Sequence, residues 1–174
     1  MKVLMLTSYE RTGASSRLRM IQYKEALRLK GIEHQLAPFF DQGYLERLYS
    51  NQSTLGPTFG AYARRISRLR HAGQADLLWL EKEALPWLPW SIEHALIPTG
   101  IPLVVDYDDA VFHRYDLHRF SAARRLLGGK LDRLMSSATL ITAGNRYLAD
   151  RAKAAGAPRV EIVPTVVDLM AYTR

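Results

Sequence analysis

Residues 101–113, IPLVVDYDDAVFH, carry an apolar run into Asp106, followed by Asp108 and Asp109. A short apolar run of this kind reads as a buried strand, and the carboxylates then stand at its carboxyl end. Such a group supports two chemistries. With magnesium, carboxylates at a strand end would serve phosphoryl transfer. Without a metal, the carboxylates suit a hydroxyl-rich ligand, because each accepts several hydrogen bonds at once. The structural alternative has Asp106 capping the next helix while Asp108 and Asp109 are solvated.

Other residues of chemical interest also fall at strand ends. Gly13, Ala14, Ser15 and Ser16 follow the first apolar run in SYERTGASSR. Small residues there let backbone N–H groups approach a phosphate at the start of a helix, where the helix dipole assists. Arg17 and Arg19 would add charge toward an anionic ligand. Glu81 and Lys82 close ADLLWLEK, and Asn145 opens a helix after TLITAG, where it suits a cap. His113 and His118 lack a matching ligand set, so no metal site is expected. The stretch around Gly13 has neither the three glycines of a dinucleotide fingerprint nor a Walker loop. A receiver domain would need an acidic pair after the first strand, where Ser8 and Tyr9 stand.

These residues need a scaffold that brings strand ends together. KVLMLTS (2–8), residues 32–39, 75–82, 101–106, 139–144 and 159–165 read as strands. Residues 15–31 read as one helix, capped by Ser15 or Ser16 and ended by Gly31. A short helix and a loop fill 41–56. A basic helix covers 57–73, with Phe59, Tyr62, Ile66 and Leu69 on one side and Arg64, Arg65 and Arg68 elsewhere. A proline-punctuated loop leads into a short helix over 84–100. Residues 116–138 read as a helix with Leu117, Phe120, Leu127, Leu131 and Leu134 recurring at three and four, bent at Gly128-Gly129; a last helix covers 145–157. Strand and helix alternate throughout. That predicts an α/β fold, a Rossmann-like doubly wound parallel sheet with helices on both faces. Ligands of such sheets bind at the carboxyl ends of the strands.

The 174 residues are 48% hydrophobic, enough for one domain with a substantial core. There are no cysteines, which excludes disulfides and thiolate metal sites and agrees with a reducing cytoplasm. No apolar run approaches the roughly 18–20 residues of a membrane span. Net charge is +7, an excess that favours anionic partners. Trp87 and Trp90, with the arginines at 64–70, would suit peripheral contact with an anionic membrane face. A basic, non-catalytic polyanion-binding module is a further alternative, but no nucleic-acid motif accompanies the charge, and no nucleic-acid partner is expected.

Two resemblances follow. Asp106-Tyr107-Asp108-Asp109-Ala110-Val111 resembles the nucleophile motif of haloacid-dehalogenase phosphatases, which implies Asp106 as nucleophile and Asp108 as acid/base with magnesium, although no later strand ends in the acidic pair that would hold the metal. The stretches KVLMLTSYERTGASSRLRMIQYKEALRLKGIEHQLAP, ADLLWLEKE, IPLVVDYDDAVF and ATLITAGNRYLADRAKAAGAPRVEIVPTVVDLMAY, in that order, resemble the amino-terminal domain of a GT-B glycosyltransferase similar to family 4. That resemblance implies a transferase moving a sugar from a nucleotide-activated donor, usually with retention and without a metal or other cofactor. The amino-terminal domain mainly binds the acceptor, a sugar or a lipid-linked acceptor. On this reading residues 1–165 are the acceptor-side domain, 166–174 begin the interdomain linker, and the second, donor-binding domain is absent from the sequence. The resemblance places Gly13–Ser15 at the donor diphosphate, Glu81 and Lys82 near the acceptor, and Asp106, Asp108 and Asp109 along the cleft. Asp108 stands where many relatives carry a histidine that contacts the donor sugar; there it would accept hydrogen bonds from hydroxyls or act as a base.

Overall fold

The computed structural model describes residues 1–50 and 52–167. Of the expected linker at 166–174, residues 168–174 lie outside the described residues. The chain runs β1 (Lys2–Leu6), α1 (Ala14–Arg19), α2 (Lys24–Leu29), β2 (Glu33–Leu36), α3 (Gln42–Tyr49), α4 (Leu55–Arg70) and β3 (Leu77–Glu81). It continues through α5 (Trp90–Leu96), β4 (Leu103–Tyr107), α6 (His113–Asp116), α7 (Ser121–Leu127), α8 (Lys130–Ser137), β5 (Leu140–Ala143), α9 (Arg146–Ala154) and β6 (Val160–Ile162).

The strands form a six-stranded sheet in the order β2-β1-β3-β4-β5-β6, and every neighbouring pair is parallel. This is the doubly wound α/β architecture expected from the alternation of strands and helices. After β2 the chain passes back over β1 to β3, so the winding reverses between β1 and β3. That reversal is the switch point, where such sheets open a crevice at their carboxyl ends.

Strand alternation sends the two sets of side chains to different layers. Leu4, Leu6, Leu78, Leu80, Val105 and Ile141 bury against residues of α4, α8 and α9 in the larger core. Val3 and Met5 point the other way and bury with Met20, beneath the smaller cover of α1 and α2. Each buried aliphatic side chain contributes about 1.5–3 kcal/mol.

Several helices differ from the sequence expectation. The single helix over 15–31 is two helices, parted at Met20 (φ −132°, ψ −56°) and a one-turn 3-10 segment, Ile21–Tyr23. Met20 turns inward to pack with Val3 and Met5, and that inward step breaks the helical path. The helix expected at 116–138 is likewise α7 and α8, after a bend that leaves Leu117 and Phe120 exposed. The two helices part at Gly128-Gly129, and this geometry requires glycine at 128: a Cβ there would lie 2.4 Å from the Arg124 carbonyl oxygen. On α4 the inward face holds Ala61, Arg65 and Leu69, whereas Phe59 is 75% exposed.

Candidate functional site

The switch point holds a cavity of about 540 Å³. Ser8 and Tyr9 after β1, Phe39 and Phe40 after β2, and Lys82 and Glu83 after β3 form its floor and sides. Gly13, Ala14 and Ser15 close one side; Tyr44 and Tyr62 from α3 and α4, together with Trp87, supply aromatic walls.

The loop from Ser8 to Ser16 is fixed from below. Glu81, at the end of β3, accepts from the Ser8 N–H at 2.9 Å and from the Ser16 hydroxyl at 2.6 Å. Ser16 in turn accepts from the Tyr9 N–H at 3.1 Å. Gly13 is required by packing, since a Cβ there would stand 2.6 Å from that of Tyr9.

Burial raises the pKa of Glu81 above the ordinary carboxyl range, against the opposing pull of Ser16, Ser8 and Lys82. A buried acid with a raised folded pKa binds its proton more tightly when folded, so it makes stability fall as pH rises from the ordinary carboxyl range through the raised value. Glu81→Gln keeps an acceptor for Ser8 and Ser16 and removes the titration. Urea unfolding across that window is expected to show a shallower decline for E81Q than for the parent. Parallel curves would show that Glu81 does not carry this linkage.

Lys82 follows directly, with φ 63°, a left-handed backbone that a side-chain-bearing residue adopts at a cost of about 1–3 kcal/mol. Its ammonium lies 3.1 Å from Asp108 and 2.9 Å from Asp109, and donates to the Ser15 hydroxyl at 3.3 Å. Burial works against the Asp108 carboxylate, but Ser15 and Lys82 outweigh it and hold its pKa below the ordinary range. Asp108 and Asp109 therefore stand beside the cavity, gathered on the lysine that lines it.

The loop after Lys82 is held by buried charge. The Lys130 ammonium lies 2.6 Å from Glu83 and 2.9 Å from Glu93, and donates to the Leu85 carbonyl at 2.6 Å. Glu93 also accepts from the N–H groups of Ala84 (2.9 Å) and Leu85 (3.2 Å). Tyr115 donates to Glu83 at 2.9 Å and accepts from the Trp87 N–H at 3.0 Å. Trp87 is left-handed too, at φ 61°, with its ring edge-on to Tyr115 at 5.2 Å. Two strained residues flanking one cavity point to a shaped site rather than a passive turn.

Three sequence expectations are corrected. Asp106 does not line the cleft: it is 1% exposed, on the α1 face of β4. Arg19 donates to both its oxygens, at 2.9 and 2.6 Å, and the Thr142 hydroxyl adds a further bond. A carboxylate so engaged cannot attack a phosphorus atom, so the phosphatase assignment falls with it. Arg19 is correspondingly buried rather than turned to a ligand; its hydrogen bonds to Asp106 raise its pKa. Arg65 also leaves the expected basic surface: it is buried beneath Phe39, donates to the Thr7 carbonyl at 2.6 Å, and burial lowers its pKa to about 10.

The other candidates divide. Gly13, Ala14, Ser15, Glu81 and Lys82 come together at the cavity. Ser16 is buried beneath it as the link to Glu81. Arg17 donates to the Arg11 carbonyl at 3.0 Å. Asn145 is exposed and caps α9, accepting from the Leu148 N–H at 3.0 Å. Trp90 stacks on His94 at 5.0 Å. His113 bridges Asp116 (2.9 Å) and the Tyr147 hydroxyl (2.7 Å). Among the described residues, no group of three or more His, Cys, Asp or Glu side chains is placed to hold a metal ion, and no helix is long and apolar enough to cross a membrane.

The sequence reading missed Tyr9, Phe40, Tyr44, Glu83 and Arg114 as cavity residues. They come from four separate stretches, around positions 9, 40–44, 83 and 114, and no local pattern joins them.

No family model matches the chain, and no curated protein matches it. Five chains of solved structures do. One is the crystal structure of Glycyrrhiza uralensis UGT73P12 complexed with glycyrrhetinic acid 3-O-monoglucuronide, with a TM-score of 0.46 and 12% sequence identity. The alignment covers 94% of this chain and 48% of that one, so the chain spans about half the length of that structure.

Proposed function

We propose that the chain is the acceptor-side domain of a GT-B glycosyltransferase similar to family 4, which moves a sugar from a nucleotide-activated donor to an acceptor with retention of configuration. The supporting observation is the cavity at the switch point, where aromatic faces alternate with hydroxyl, carboxylate and ammonium groups. Pyranose rings present apolar faces and a rim of hydroxyls, and such a lining matches both. Ser15 presents its hydroxyl to the acceptor, and Lys82, its protons taken by Asp108, Asp109 and Ser15, holds that edge of the cavity in place. A carboxylate held below its ordinary pKa is a weak base, so Asp108 accepts hydroxyl hydrogen bonds in preference to taking the proton. Asp109, more exposed, faces the incoming donor. The nucleotide is gripped by a second domain beyond this one.

The reading predicts a division of labour that direct binding tests. Titrated with simple glycosides and with nucleoside diphosphates, this chain alone is expected to bind the glycosides and to bind the nucleotides at least tenfold more weakly. Lys82→Ala is expected to weaken glycoside binding. Nucleotide binding as tight as glycoside binding would place the donor grip here and overturn the assignment.

A further inference from the structure

Arg114, on α6, lines the same cavity, and among the described residues its guanidinium has one loose ion-pair partner and no side-chain hydrogen bond. Its ion-pair partner among the described residues is Glu83 at 3.7 Å, beyond hydrogen-bond reach, and the guanidinium is 48% exposed. Glu83 is already engaged by Lys130 and by the Tyr115 hydroxyl. Lys82, by contrast, is answered by two aspartates. The cavity therefore has one cation with its hydrogen-bonding edge available.

An aromatic row lines the same space. Tyr9 stacks on Phe40 at 5.7 Å and 28°, and Phe40 on Tyr44 at 3.7 Å and 20°. The Tyr9 hydroxyl, raised in pKa mainly by burial and by Tyr44, is pulled back by Arg114, which places the guanidinium within electrostatic reach of the row.

Resting on the acceptor-side reading, we propose that the acceptor is an anionic carbohydrate. Its ring lies against the row of Tyr9, Phe40 and Tyr44, and its carboxylate or phosphate takes the fork of Arg114. A guanidinium offers paired donors that match either anion, and such charge-assisted hydrogen bonds are stronger than those a neutral hydroxyl supplies.

Ligand-observed NMR titration tests this with 4-nitrophenyl glucuronide and glucose 1-phosphate as the two kinds of anion, 4-nitrophenyl glucoside and glucose as their neutral counterparts, and 4-nitrophenyl phosphate as an anion without a sugar. At least one anionic sugar is expected to bind about tenfold more tightly than its neutral counterpart. Whichever does so identifies the anion as carboxylate or phosphate. Arg114→Gln is expected to lower binding of that anionic sugar about tenfold, to the level of its neutral counterpart, whereas Tyr44→Ala weakens both alike. Equal binding of charged and neutral sugars, both lost in Y44A, would overturn the anionic assignment and leave the acceptor reading standing. Binding of 4-nitrophenyl phosphate through Arg114 with no binding of any sugar would overturn both.

Discussion

Replacing Lys130 with methionine is expected to destabilise the protein by about 3–5 kcal/mol, the usual consequence of removing one partner from a buried ion pair. The ammonium is fully buried and faces three oxygens, from Glu83, Glu93 and the Leu85 carbonyl. An ammonium has three protons to donate, so the arrangement satisfies it completely. Methionine matches the length of the stem and leaves two carboxylates facing each other in an apolar layer. Burial already raises the pKa of Glu93 despite the lysine; without it, one of the two carboxylates must take up a proton or draw in water. A domain of this size has about 5–15 kcal/mol in total, so the loss is a large share. Urea unfolding measures it, and Trp87 reports its location, because the loop that carries Trp87 is held by those same carboxylates. A change in the emission of Trp87, isolated by comparison with a W87F background, is expected before global unfolding. A loss below about 1 kcal/mol would mean that water replaces the lysine at little cost. K130M/E93Q is expected to recover part of the loss, since it removes one of the orphaned charges.

The sheet was legible in the sequence because β1, β3, β4 and β5 are apolar runs bounded by turn residues, and no competing pattern overlaps them. Helix ends were less so. The 3.6 periodicity of 15–31 continues through Met20, although the backbone does not, because periodicity records which residues are apolar and not which core they enter. The acidic strand end shows the same limit from another side. Asp106 and Asp108 look alike at the end of an apolar run, but one is buried under α1 and the other stands beside the cavity. Alternation along β4 sets Asp106 opposite the Val105 and Tyr107 face, so its side was readable. Its partner was not, since Arg19 is 87 residues away in the chain. Much the same is true of Lys130, 47 residues from Glu83, which reads as an ordinary helix lysine until the fold buries it. Gly13–Ser15, Glu81 and Lys82 were found because they lie at the end of a strand or in the loop that follows one, where topology alone places a ligand. The aromatic row was not, because Phe40 and Tyr44 flank a weakly patterned segment and meet Tyr9 only through the pairing of β1 with β2.

Arg19→Met is expected to cost a similar 3–5 kcal/mol and, unlike the Lys130 change, to disorganise the cavity floor. Glu81 and Asp106 are direct neighbours on β3 and β4, both reaching toward α1. Adjacent strands are about 4.8 Å apart, and helix residues three apart are about 5–6 Å apart. Ser16 and Arg19, three apart on α1, therefore match the two carboxylates, one helix residue to each strand. Like charges side by side on a sheet repel. Here the guanidinium compensates Asp106, and burial favours the protonated form of Glu81. Without the guanidinium, Asp106 is a buried charge with only the Thr142 hydroxyl, and α1 keeps Ser16 on Glu81 and the longer Lys82–Ser15 bond as its polar ties to β3. Glycoside binding should then weaken along with stability, because Gly13, Ala14 and Ser15 ride on the start of that helix. Asp106→Asn alone is expected to be costly as well, whereas R19M/D106V is expected to recover much of the stability, since a buried pair replaced by apolar groups is often neutral. The double variant separates the two roles. Recovered stability with lost binding would show that the ion pair positions the loop, while recovery of both would show that packing of α1 suffices. Single variants within about 1 kcal/mol of the parent would mean that this pair does not hold α1 to the sheet.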